Sequence, residues 1–361
     1  MKGNLATNLR IIWAIAAKDI ISAIKNRNVL ANFFTVLFLI AFYKVVPTLT
    51  EAGAPPTLFV YDEDSSSLVA ALEDGDAVEL RAYTSEEEMK EKLAIKDDKE
   101  LGLVIPADFD QQAAAGEQVA LEGYVPYWIS DQDAWDVASD IETLIASTTG
   151  YSVNITVAGV VYAPLGEGGQ AFMFSILLAI IISLMGVIVI PHLMIEEKQR
   201  KTLDALLVSP ASAGQVVMGK ALTALFYCLV AAAAVLVVNS AIVLQWWLMI
   251  LAVVCGALFP IALGLLFGVL FESRQQLTLW GFVSLQVLLV PTFLVVMEGL
   301  VPDGVIAVLR WVPTAALGHL FRVACSRQVP VAAFVPELAV VLGSAAVVLT
   351  TVAWIVRRSD R

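Results

Sequence analysis

The residues that could carry chemistry in this chain are few, and most of them lie in or beside long apolar runs. Residues 214–220 have the G-x4-G-K spacing of a phosphate-binding loop, but Ala221 stands where a Ser or Thr would hold magnesium. Such a loop needs a strand before it and a soluble helix after it, whereas an apolar run follows here. We therefore predict that the chain itself binds no ATP, and we interpret Lys220 as an anchor for a helix end at the membrane surface.

Other reactive groups are sparse. The three cysteines and two histidines are too few and too scattered for a zinc site, a disulfide framework or a Cys-His pair. We therefore expect no metal, no cofactor bound by this chain and no catalytic residue, so the chain is not expected to be an enzyme.

Ionisable residues near the membrane boundary are the candidates for a transport path, because charges in such places tend to be functional. Their alternative role is anchoring at the interface or pairing with one another. The four candidates are Glu298, Arg310, His319 and Glu337.

The composition assigns these residues to a membrane protein. The 361 residues are 59% hydrophobic and have a mean hydropathy of +0.80, whereas soluble chains are about 45–50% apolar. The net charge of −12 is uneven, since residues 51–165 carry −19 and the remainder carries +7. A sequence pI near 4.7 disfavours nucleic-acid binding. The acidic side chains of residues 51–165 either form a solvated surface or produce an electrostatic field that concentrates cations near a pore mouth.

Six apolar runs are long enough to cross a bilayer. The first run, residues 29–50, is predicted to be an uncleaved membrane anchor. An amphipathic interfacial helix at residues 1–28 precedes it. Residues 169–361 hold the other five, at about 171–195, 216–238, 247–271, 277–296 and 334–356. A further apolar stretch, 305–323, is broken by charges and Pro313, which is typical of a re-entrant or interfacial segment. The predicted fold is an α-helical polytopic membrane protein with six transmembrane helices and an inserted α/β domain.

Residues 51–168 have the pattern of that α/β domain. Short β-type runs alternate with short helices, which predicts a compact domain with a partly parallel sheet. The β-type runs are 57–62, 77–83, 100–106 and 118–124. Lys and Arg cluster before the first span, between the second and third, and after the sixth. The positive-inside rule therefore places both termini in the cytoplasm and residues 51–168 outside.

The predicted cytoplasmic loop 195–215 is the most informative segment. Thr202 can cap a short helix whose apolar side is Leu203, Leu206 and Leu207, and Pro210 stops it. That apolar side needs a partner, which is either the bundle or lipid, or else a groove on a cytoplasmic protein.

This loop resembles the cytoplasmic signature of type-2 ATP-binding-cassette (ABC) exporter permeases. That signature has a Glu-rich start, Gly-Thr-Leu-Glu, a Leu-Leu pair, Ser-Pro and then Gly-Lys. The chain departs from it at Lys201, where the family usually has Gly, and at Asp204, where it often has Glu. The resemblance assigns coupling to the ATPase to Glu196, Glu197, Thr202, Leu203, Leu206, Leu207, Ser209, Pro210, Gly219 and Lys220.

The layout of the whole chain also resembles the branch of that family with a large extracytoplasmic domain after the first span, which includes sodium-exporter-type permeases. The resemblance implies a homo- or heterodimer of permeases in the cell (inner) membrane of a prokaryote. Two separate cytoplasmic ATPase subunits would carry ATP and magnesium, and a coupling helix around 202–208 would receive their motion to drive export or efflux. The alternative hypothesis is a membrane-anchored sensor or envelope assembly factor whose outer domain binds a ligand.

Overall fold

The computed structural model describes residues 2–24, 27–50, 55–73, 78–96, 98–199, 213–295 and 301–359. Two helices open the chain, α1 (Lys2–Ile24) and α2 (Arg27–Thr50). A unit that contains a β-sheet follows, and the remainder is helical.

Within the described ranges, five helices are long and apolar enough to cross a membrane. The first runs from Gly169 to Glu196 without a break and joins α7 (Gly169–Leu184), a π-helical turn (Met185–Val189) and α8 (Ile190–Gln199). The other four are α9 (Ala213–Val238), α10 (Trp246–Leu270), α11 (Arg274–Leu294) and α14 (Val335–Ser359). This confirms a polytopic helical membrane protein.

The first of the six predicted spans, residues 29–50, falls on α2. The apolar stretch there is the shorter Phe33–Tyr43, so the count of six stays a prediction. The predicted re-entrant stretch forms two short helices, α12 (Asp303–Leu309) and α13 (Pro313–Ala324), which are separated at Arg310–Val312. Proline at the first position of α13 fits a helix start, since its missing N–H would have no partner there.

A five-stranded mixed sheet lies between α2 and α7 in the chain. Its order is β2-β1-β3-β4-β5, and the β3–β4 pair is antiparallel while the other three pairs are parallel. The strands are β1 (Thr57–Asp62), β2 (Glu79–Tyr83), β3 (Leu101–Ile105), β4 (Val119–Pro126) and β5 (Val153–Val161). The helices of this α/β unit are α3 (Ser67–Glu73), α4 (Glu86–Ala94), α5 (Phe109–Ala114) and α6 (Asp131–Thr149).

The alternating apolar residues of the strands fill a core on each face of this sheet. Leu58, Leu103 and Leu121 pack in one core with α3, α5 and α6. Phe59 packs in the other with Met89 and Leu93 of α4. A strand that is buried on both faces reads as a continuous apolar run, as Leu58 to Val60 does.

Direct hydrogen bonds hold the α/β unit to the membrane helices. The Tyr127 hydroxyl lies 3.1 Å from both the Ile242 and the Cys325 carbonyl oxygens, and the Gly169 N–H donates to the Ile95 carbonyl at 2.8 Å. Burial raises the pKa of Tyr127 well above its ordinary value, so the hydroxyl keeps the proton it donates. The unit is therefore hydrogen-bonded to the membrane helices at Ile242, Cys325 and Gly169.

The membrane helices cross most closely at the π-helical turn. A Cβ built on Gly186 would lie 2.6 Å from the Pro260 carbonyl carbon, and one on Gly264 would overlap the Gly186 oxygen. In lipid, small residues permit this approach of two backbones, and the contact stabilises the helix pair through packing. The backbones of the π-helical turn and of α10 are therefore in direct contact.

We expect Gly264→Ala to destabilise the protein, because the added methyl has to push α10 away from the π-helical turn. Overpacking of this kind costs about 1–3 kcal/mol. The melting temperature of the purified chain in detergent measures it. Gly343→Ala is the matched control, since nothing lies within 4 Å of that Cβ, and it should melt at or slightly above the wild-type temperature. Equal melting of the two variants would contradict the crossing.

Candidate coupling and transport sites

The N-terminal helix α1 lies beside the first half of α9 and runs in the same direction. Three side chains of α9 each make a polar contact with a group of α1 that lies 207 positions earlier in the chain. Gln215 Nε2 donates to Asn8 Oδ1 at 2.8 Å, Thr223 Oγ1 to the Ala16 carbonyl at 3.4 Å, and Tyr227 Oη to the Ile20 carbonyl at 2.6 Å. These contacts fix the register of α1 on α9.

A buried ion pair joins the same two helices. Lys220 Nζ lies 2.8 Å from Asp19 Oδ2, and the side chains are 3% and 6% exposed. The interpretation of Lys220 as an anchor at the membrane surface is therefore wrong, because its ammonium group is buried against a carboxylate. Gly219 beside it lets α1 approach, since a Cβ there would lie 2.7 Å from Ile15 Cγ2. The Gly-Lys end of the sequence signature thus forms part of the surface of α9 on which α1 packs.

The end of α8 is fixed to the end of α10. Lys198 Nζ donates to the Val269 carbonyl at 3.1 Å and to the Phe271 carbonyl at 3.3 Å. Carbonyls in the last turn of a helix lack partners within the helix, and a cation there is favourable. Glu196, half-buried, lies in the same turn of α8. The end of α8 and the end of α10 therefore meet at one end of the bundle.

Part of the predicted coupling site lies outside the described residues. This part comprises Thr202, Leu203, Leu206, Leu207, Ser209 and Pro210. Glu197 belongs to α8, and its side chain is not described. Their assignment to the coupling helix stays a prediction, as does that of Glu196, Gly219 and Lys220.

Three of the four candidate path residues lie close together beside the start of α7. His319 of α13 and Glu337 in the first turn of α14 approach to 3.3 Å, measured between Nδ1 and Oε1. The pair lacks hydrogen-bond geometry, and both His319 Nδ1 and Glu337 Oε2 are buried without a hydrogen-bond partner in the part of the chain described. Arg310 follows α12, and Glu298 lies outside the described residues. The structure thus brings His319, Glu337 and Arg310 into one region.

A partly open cavity of about 460 Å³ occupies this region, where the α/β unit meets the bundle. Ile95 of the α/β unit, the segment Leu165–Gly169 and Phe172 of α7 form one part of its wall. The charged or titratable side chains at the wall are Arg310, His319, Arg322 and Glu167. A smaller space of about 10 Å³ continues between Ser175, Thr292 and Gly318, and His319 and Arg322 border both spaces. Polar groups therefore extend from the cavity into the bundle.

Sequence reasoning missed Asp19 and Arg322. It also missed the contacts of Tyr127 with the membrane helices. Asp19 carried a usable signal, because it is the sole acidic residue among the first 50. Arg322 is one of the charges that break the apolar stretch 305–323, which does not by itself mark it as a site residue. Nothing in the local sequence marks Tyr127 as a residue that joins two parts of the fold.

A comparison with known protein families identifies the family of the chain. The family model described as ABC-2 family transporter protein matches residues 29–355. The chain therefore belongs to the ABC-2 transporter family and is a membrane permease of an ABC transporter. Membership implies association with ABC ATPase partners and dimerisation, and the family's permeases are transport subunits that are generally not enzymes. No curated protein matches the chain.

We expect Lys220→Met to lower the free energy of unfolding by about 3–5 kcal/mol, because it leaves the Asp19 carboxylate buried without its partner. Asp19→Leu combined with Lys220→Met should recover much of that loss. Lys18→Met is the control, since Lys18 is exposed beside Asp19. Chemical denaturation in detergent measures all three. A double variant no more stable than Lys220→Met would contradict the pairing.

Proposed function

We propose that this chain is the permease of an exporter and moves a substrate out across the cell membrane with ATP hydrolysed by separate cytoplasmic subunits. In this proposal both termini are cytoplasmic, residues 51–168 are extracytoplasmic, and two permeases pair in the membrane. The observation that supports this proposal is that the helices on both sides of segment 200–212 are attached to other helices. Lys198 ties one flank to α10, and Lys220 ties the other to α1.

Those two attachments would convert a displacement of the loop into helix motion. A partner that pushes on segment 200–212 would move α8 together with the end of α10, and would move α9 together with α1. The close contact between the π-helical turn and α10 leaves little slack along the first route. Reversing a 1:99 population of two states takes about 5.5 kcal/mol of differential binding, which nucleotide sites on partner subunits are able to supply.

The transport path in this proposal lies at the opposite end of the same helix. The segment Gly169–Glu196 begins at the cavity and ends next to the coupling loop. Arg310, His319 and Glu337, together with Glu298, would line the path or control access to it. Ser175 and Thr292 extend the polar lining into the bundle.

We expect an ATP-hydrolysing subunit with a phosphate-binding loop to copurify with the tagged chain from the native membrane in mild detergent. Such a partner supports export, since a permease without nucleotide sites needs an outside source of energy. Mass spectrometry of the purified complex identifies it. A kinase or a cell-wall enzyme in its place would support the sensor or assembly-factor alternative.

We expect Leu206→Asp to abolish export by the reconstituted complex while the chain stays inserted, because a charge cannot bury in an apolar groove. Glu197→Ala should have the same effect if it belongs to the coupling contact. Glu117→Ala serves as control, since Glu117 is exposed in the α/β unit, and it should behave as wild type. The rate of ATP-dependent export and the amount of ATPase retained measure the effect. Normal export by both coupling variants with the ATPase attached would show that the assignment is wrong.

A further inference from the structure

His319 lies between α14 and the connecting segment, residues 162–168, that leads from the α/β unit into α7. A Cβ on Gly166 would lie 3.5 Å from His319 Nε2, and the Gly166 N–H donates to Ser326 Oγ, just after α13, at 3.1 Å. On the other side of the ring, His319 Nδ1 lies 3.3 Å from Glu337 Oε1 of α14. These contacts form a junction between the connecting segment and the helices α13 and α14.

The charges around His319 are balanced while its ring is neutral. Arg310 and Arg322 supply two positive charges, and Glu167 and Glu337 supply two negative ones. The other long helices packed on α13 add none beside the ring, since α7 and α10 hold no charged residue and the single charge of α11 lies at its far end. A proton on the ring would therefore add a third positive charge to a balanced group.

The ring carries no charge at neutral pH. His319 belongs to α13, which is not one of the five spanning helices, and it borders the open cavity. Burial, together with the guanidinium groups of Arg322 and Arg310, lowers the pKa of His319 to about 4. Glu337 does not offset this, because its contact with Nδ1 lacks hydrogen-bond geometry. The closed junction thus disfavours the protonated ring.

We propose that His319 makes this junction sensitive to protons and that acid opens the cavity. At neutral pH the uncharged ring fits between the connecting segment and α14. When the pH at the cavity falls, the ring takes up a proton, the guanidinium groups of Arg310 and Arg322 repel it, and it leaves its place. The control of access to the transport path rests on the proposed function, whereas the opening itself does not.

The direction of the pH effect follows from the two environments of the ring. A histidine in water has a pKa of about 6.5, whereas the pKa of His319 in the closed junction is about 4, so the open state binds the proton more tightly. The closed state is therefore fully favoured above about pH 6.5 and loses stability as the pH falls towards 4. Between about pH 7.5 and about pH 5, the open population should rise by up to about 30-fold.

The thiol of Cys325 reports the opening in the wild-type chain. Cys325 is 4% exposed, and its carbonyl accepts a hydrogen bond from Tyr127 of the α/β unit. The purified full-length chain in nanodiscs is treated with a dithiodipyridine reagent, which also reacts with thiols in acid, and mass spectrometry measures the rate of modification at Cys325. The rate is compared with that of His319→Gln at each pH, so that the pH dependence of the thiol chemistry cancels. We expect this ratio to rise by up to about 30-fold between about pH 7.5 and about pH 5.

Two further variants separate the proton effect from a general effect of acid. Arg310→Gln should show a smaller rise, because one of the two charges that oppose the protonated ring is gone. His192→Gln is the matched control, since His192 is the other histidine of the chain and its Nδ1 lies 2.8 Å from the Ile188 carbonyl oxygen in α8. It should respond to pH as the wild type does.

Equal pH responses of the wild type and His319→Gln would overturn the proposal. Equal responses of the wild type and Arg310→Gln would also overturn it, and this comparison remains decisive where His319→Gln does not fold. Neither measurement uses ATP or a partner subunit, so its failure leaves the export proposal standing. Failure to copurify an ATPase, in turn, leaves the proton-sensitive junction standing.

Discussion

The backbones of the π-helical turn and of α10 touch at Gly186 and Gly264, with no room for a side chain between them. Lipid tails are as apolar as the helices, so helices in a bilayer associate through close packing of this kind rather than through the hydrophobic effect. The contact fixes how the Gly169–Glu196 helix crosses α10. Beyond it, α8 lies along α10 and Lys198 reaches the last carbonyls of that helix.

One continuous helix therefore links two regions of different chemistry. At its start are the cavity, Arg310 and His319, and at its other end is the loop with the permease signature. The π-helical turn, a feature often found at functional sites, lies between the two at the point of closest helix contact. A rigid link of this length can carry a displacement from one end to the other, which flexible loops would absorb.

The sequence predicted local features well and distant pairings poorly. The apolar runs predicted the described spans, and the β-type run at 57–62 predicted β1. Strand β5 was not predicted, because a bulge at Ala158 interrupts its alternation of apolar and polar residues. Lys220 was misread as a surface anchor because its partner is remote in the chain. One sequence shows neighbours along the chain, whereas the burial of a charge depends on which helix comes to lie against it.

The ion pair between Asp19 and Lys220 has a consequence for biosynthesis. Its two residues are 201 positions apart, and at about 5–20 residues per second a ribosome needs roughly 10–40 seconds to cover that distance. During this interval α1 has been synthesised, whereas the part of α9 on which it packs has not. Asp19 then has to stay hydrated, and α1 docks after the α/β unit and the Gly169–Glu196 helix have emerged. The N-terminal helix is thus the first element to be synthesised, yet it cannot reach its final place until α9 has been made.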